Sequence, residues 1–109
     1  MLYRYEIQSE NNSVGILTGL DEYFTVDEIW SLGWFFEVKL NAPDIDMCNT
    51  KSYFTEKGNR KFRKAIRNIS KLSESKGLKV VCITVNREDL DNIVYEDVNQ
   101  VIIKYVSVV

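Results

Sequence analysis

The sequence predicts an α+β fold, a mixed or antiparallel sheet covered by one long amphipathic helix, with a short second helix. Three observations carry that expectation. Phe62, Ala65, Ile66, Ile69 and Leu72 recur at i, i+3, i+4, i+7 and i+10, an apolar stripe along one helix face. Tyr3, Tyr5 and Ile7 alternate with Arg4, Glu6 and Gln8, the period of a half-buried strand. Leu78 to Val85 is nearly continuous in apolar branched residues. At 109 residues, with 45% of them hydrophobic, the chain has the size and composition of a single globular domain over 1–109.

Each element follows from local chemistry. Residues 2–18 read as an N-terminal hairpin, with Glu10-Asn11-Asn12-Ser13 as its turn cluster. Thr25-Val26-Asp27-Glu28 matches a capping box, and Gly33 suits the end of the short helix that follows. Trp34 to Leu40 is aromatic and branched, so a strand is expected there. Asn41 to Thr50 holds the single proline, Pro43, and reads as a loop. Thr55 can cap the long helix over about 56–76, and Gly77 stands where a left-handed C′ residue belongs. Leu78 to Val85 is then expected as a central strand, with Val81 and Ile83 under the helix stripe. Two last strands are expected at Ile93–Tyr95 and Val101–Val109. The predicted order is β-β-α-β-α-β-β-β.

The chain contains no histidine, which removes Ser-His and Cys-His pairs, histidine bases and imidazole metal ligands. Its two cysteines cannot build a usual zinc site without histidine. Cys82, inside an apolar run, reads as a small core residue. The acids Asp44 and Asp46, with Asp21, Glu22, Asp27 and Glu28, match no calcium-loop template, and the five glycines are too dispersed for a phosphate loop. No catalytic residue, metal or cofactor is therefore expected, and the protein reads as non-enzymatic. No apolar run approaches the roughly 20 residues of a membrane span, and the N-terminus lacks a signal-peptide pattern. No membrane partner and a cytoplasmic location are the expectations.

Charge supplies the strongest functional signal. Residues 51–79 carry ten basic and two acidic side chains, a net of +8, while the rest of the chain carries four against fourteen, a net of −10. Arg60, Lys64, Arg67 and Lys71 fall at i, i+4, i+7 and i+11, a basic stripe opposite the apolar one, and Lys57 and Lys61 widen it. Charged faces are the norm on amphipathic helices. This one, however, has almost no acids at the i,i+4 spacing that would complement it. The stripe reads either as an ordinary solvated helix face or as a binding face, and for a binding face a protein partner is expected. Nucleic acid is the alternative, against which stand the missing aromatic interleaving and the acidic pI of 5.2. Trp34, Phe35 and Phe36 are the candidate interface for a homodimer, because in a period-two strand one of them faces away from the other two.

Three short stretches, Leu2-Tyr3-Arg4-Tyr5, Ser52-Tyr53-Phe54-Thr55-Glu56-Lys57-Gly58 and Ile93 to Ile102, resemble a group of small bacterial and phage-borne proteins, a resemblance that implies no function. The same opening and closing resemble ADP-ribosyltransferase-like folds, which pair an early Arg on a strand with a late catalytic Glu. That resemblance would make Arg4 and Glu96 the counterparts, in a small NAD-using enzyme, with no residue here for the family's middle motif.

Overall fold

The computed structural model describes residues 1–32, 40, 43–46 and 48–105. Its elements, in chain order, are β1 (Leu2–Gln8), β2 (Ser13–Gly15), α1 (Ile16–Tyr23), α2 (Val26–Leu32), β3 (Thr50–Phe54), α3 (Glu56–Lys61), α4 (Arg63–Ser75), β4 (Lys79–Val85), β5 (Ile93–Glu96) and β6 (Gln100–Lys104), with a 3₁₀ turn at Arg87–Asp89. The expected α+β class holds, with a six-stranded sheet in which every described pairing is antiparallel. The expected strand over 34–40 lies outside the described residues, apart from Leu40.

β1 organises the sheet. β4 pairs along its whole length, from Leu2↔Val85 to Gln8↔Lys79. Its other edge is shared: β2 takes Glu6 to Gln8, and β3 takes Tyr3 opposite Phe54. β3 continues to β6 and β6 to β5, where a bulge shifts the register between Ile93 and Tyr95. Side chains alternate between the two sheet faces, and both are used. On one face the helices bury Ile7, Ile16, Leu20, Phe24, Phe54, Phe62, Ile66 and Ile69 in the main core. On the other, Leu2, Tyr53 and Val101 form a second cluster under Val85, Leu90, Ile93 and Ile103.

The local signals at helix ends act as the sequence indicates. The Thr25 hydroxyl accepts the Glu28 amide at 3.2 Å, and the Glu28 carboxylate accepts the Thr25 amide at 2.9 Å. Thr55 Oγ1 accepts the Gly58 amide at 3.0 Å and donates to the Val98 carbonyl at 2.6 Å, so one hydroxyl caps α3 and ties it to the β5–β6 turn. Gly77, at φ +78°, closes α4. Its amide reaches Glu74 O and the Leu78 amide reaches Ser73 O, the paired bonds of a Schellman end.

Six expectations are corrected. The hairpin over 2–18 ends at Gly15, and Ile16 starts a helix. Thr50–Phe54 is a strand, lying between the loop expected up to Thr50 and the Thr55 cap, where no element is expected. The 56–76 stripe runs through two helices that meet at Phe62, whose ψ of 8° departs from helical geometry. The bonds Phe62 N→Gly58 O and Ile66 N→Phe62 O still bridge the joint. The fully buried Phe62 ring packs on Phe54 at 5.6 Å, which fixes the joint against β3. β4 is not central: it pairs with β1 alone among described strands. Its run of branched residues fits an edge because the helices cover only its start, where Val80 packs on the core. Accordingly Ile83 is 39% exposed rather than under the helix stripe, and Cys82 is an exposed free thiol rather than a core residue.

Candidate docking face

The α3–α4 surface is built by helical spacing. Phe62, Ile66 and Ile69 point into the core, so the side chains half a turn away must point to water. Arg60, Lys61, Arg63, Lys64, Arg67 and Lys71 are all exposed and line one shallow groove together with Asn68. The structure thus brings together five of the six residues that the sequence nominates and adds Arg63, which sits beside the stripe at the first position of α4. Lys57 is also exposed on α3, outside that groove.

At one end of the face Lys71 and Asn68 also line a neighbouring groove with Asp27 and Glu28. Among the described residues, ion pairs within 4.0 Å join Arg4 to Glu6, Lys76 to Glu28, Arg87 to Glu96 and Lys104 to Asp46. None involves a cation of the groove. Lys61 lies over the Phe62 ring at 5.7 Å, its neighbour in sequence. Lys76, beyond the stripe, bonds Glu28 at 2.9 Å and stands over Phe24, so it fastens α2 to the end of α4. Glu6, Glu28, Asp46, Glu96 and Asp97 have structural partners of their own. A hydrogen bond and ion pair from Arg87 hold the Glu96 carboxyl below the usual range. For Asp46, the Cys48 amide and Lys104 do the same.

The aromatic interface candidates Trp34, Phe35 and Phe36 lie outside the described residues. Nearby Trp30, on α2, is 68% exposed, with Val26 one turn earlier equally open at 69%.

A second feature, not legible in the sequence, is the cleft where β2 and β3 diverge along β1. Arg4 spans it, donating from Nε to Glu6 at 2.8 Å and from a terminal nitrogen to the Ser52 carbonyl at 3.2 Å. Gly15, Thr18 and Gln100 also line the cavity, whose volume is about 230 Å³. Pockets for small molecules usually run from about 300 Å³ upward, and the Arg4 charge is already neutralised by Glu6. The transferase-like pair is not assembled there. Arg4 and Glu96 stand on strands three steps apart, about 14 Å at the usual strand spacing, each in an ion pair of its own.

Among the described residues no three His, Cys, Asp or Glu side chains converge as metal ligands, and no helix is long and apolar enough to cross a membrane. Comparison with known proteins leaves the physical features as the guide: no family model matches the chain, and neither a curated protein nor a solved structure matches it.

Proposed function

We propose that the protein is a non-enzymatic docking module whose α3–α4 face binds an acidic surface on a protein partner. The supporting observation is the row of six exposed cations with no carboxylate within 4.0 Å among the described residues. Like charges four residues apart on a helix cost about 0.2–0.5 kcal/mol per pair. Arg60, Lys64, Arg67 and Lys71 accept that cost repeatedly, and among the described residues none of them forms an ion pair within 4.0 Å. An acidic partner removes the repulsion and adds attraction, so affinity and encounter rate fall with salt. A protein is favoured over nucleic acid for two reasons. No exposed aromatic stands among the cations to stack on a base, and the net of −10 outside the segment repels a long polyanion beyond the contact.

Fluorescence anisotropy with a labelled poly-glutamate peptide and, separately, a short DNA duplex tests the reading. The peptide should bind the full chain, and Arg60→Glu with Lys64→Glu should weaken it about tenfold or more. Preference for the duplex with a steep salt slope would transfer the face to nucleic acid. Binding of neither probe returns it to a solvated surface.

A further inference from the structure

The basic groove does not end with its cations. At Asn68 and Lys71 it runs into a second groove, between α2 and α4, whose other lining residues are Asp27, Glu28 and Ser31 from α2 and Leu72 and Ser75 from α4. The shared residues make the two one continuous channel, and the sign of its charge reverses beyond Lys71. Glu28 is engaged inside the fold, where it accepts the Thr25 amide and pairs with Lys76 at 2.9 Å. Asp27 is exposed and joins no ion pair within 4.0 Å among the described residues. Lys71, in the same groove, joins none either. An acid and a base that share a groove without closing on each other are both open to a ligand. Half-buried Leu72 adds an apolar residue beside them.

We propose that the partner of the basic face is a bipolar protein segment: a run of acids over Arg60 to Lys71, then an aliphatic side chain against Leu72 and a Lys or Arg on Asp27. The proposal rests on the docking reading above and names the chemistry of its partner. Charge complementarity selects this occupant. A uniformly acidic segment long enough to pass Lys71 carries a carboxylate toward Asp27 and is repelled there. A uniformly basic one is repelled along the whole α4 stripe. A nucleic acid, charged at every phosphate, has no cation to offer Asp27. A segment that changes sign where the channel does satisfies both ends. Arg63 to Lys71 is eight residues of α4, about 12 Å at the helical rise. An extended partner covers that length in about four residues and a helical one in about eight, which sets the length of its acidic run. Asp27 also supplies register. Repeated cations attract an acidic chain equally well in several positions, so it can slide along them. A carboxylate at the end of the row fixes where the acids must stop, which is specificity through a repulsive contact.

Two labelled peptides of identical composition test this by fluorescence anisotropy. One has six glutamates followed by leucine and arginine; the other has the leucine and arginine moved to the middle. The full chain should bind the first about three- to fivefold tighter at low salt, the scale of an exposed ion pair. Asp27→Asn should remove that preference while binding a poly-glutamate peptide at least as tightly as the parent does. Circular dichroism checks that the variant is folded, and the comparison on the parent chain needs no variant should it fail to fold. Equal affinity of the parent for the two peptides overturns the proposal. A preference that persists in folded Asp27→Asn also overturns it, by placing the arginine elsewhere. If poly-glutamate still binds, and weakens in Arg60→Glu with Lys64→Glu, the docking face stands without this polarity. If no peptide binds, both readings fall.

Discussion

At the scale of single residues, the turn between β5 and β6 rests on one carboxylate. Asp97 Oδ1 accepts the amides of Asn99 at 2.8 Å and Gln100 at 3.0 Å, while Oδ2 accepts the Tyr95 hydroxyl at 2.7 Å. Burial alone would push its pKa up, but these donors outweigh burial and hold it below the usual value. A folded pKa lower than the unfolded one, about 3.9 for Asp, gives stability that is complete above that pH and lost as pH falls through the folded pKa. Asp97→Asn keeps an oxygen for the two amides but turns a donor toward Tyr95. It should cost about 1–3 kcal/mol at neutral pH, and urea melts at pH 7 and pH 3 should show the variant losing less on acidification than the parent. Gly58 is required for a different reason. A Cβ there would fall 2.0 Å from the Asn99 carbonyl oxygen, which is backbone that Thr55 already grips through its amide. Gly58→Ala must push α3 off this turn, and a loss of about 2–3 kcal/mol or more is expected in the same melts.

At the scale of elements, periodicity is informative wherever one face of an element is buried and misleading where the signal is short or mixed. The stripe from Phe62 to Leu72 identifies the core face of α4, and Thr25 with Glu28 identifies the start of α2, because each is a local chemical requirement. Helix α1 is hidden by Thr18 and Gly19 within Ile16–Leu20, residues of poor helix propensity. Its useful signal is the spacing of Ile16, Leu20 and Phe24, all buried. Strand β3 is hidden because Tyr53 and Phe54 serve opposite faces, one in each core, and so show no alternation. The uncharged run of β4 marks a strand but not its place in the sheet, since pairing order is set by contacts distant in sequence. Ile66 tests the part that is legible. It is 6% exposed in the main core, and Ile66→Ala should destabilise by about 2–5 kcal/mol. A loss below about 0.5 kcal/mol in denaturant melts would show that the α4 stripe packs on no core.

At the scale of the molecule, six cations of the basic segment, Arg60, Lys61, Arg63, Lys64, Arg67 and Lys71, gather on one surface. The ion pairs that do form fasten elements together elsewhere: α2 to the end of α4 through Glu28 and Lys76, and the 3₁₀ turn to β5 through Arg87 and Glu96. Two opposed forecasts follow for Arg60→Glu combined with Lys64→Glu. If the face complemented the protein's own acids, reversal would break a network and lower the melting temperature by many degrees, with the loss shrinking as salt screens the pairs. The geometry gives the other forecast. Both side chains are exposed and have no carboxylate within 4.0 Å among the described residues, and exposed charges contribute little to stability. Reversal instead relieves repulsion along the helix, since the two introduced carboxylates would stand near Lys57, Lys61, Arg63 and Arg67. The melting temperature of the double variant should therefore equal or slightly exceed that of the parent at low salt, and the difference should fade at moderate salt. Thermal melts by circular dichroism at the two salt levels measure this directly, and a salt-sensitive drop of many degrees would tie the basic face to the fold rather than to a partner.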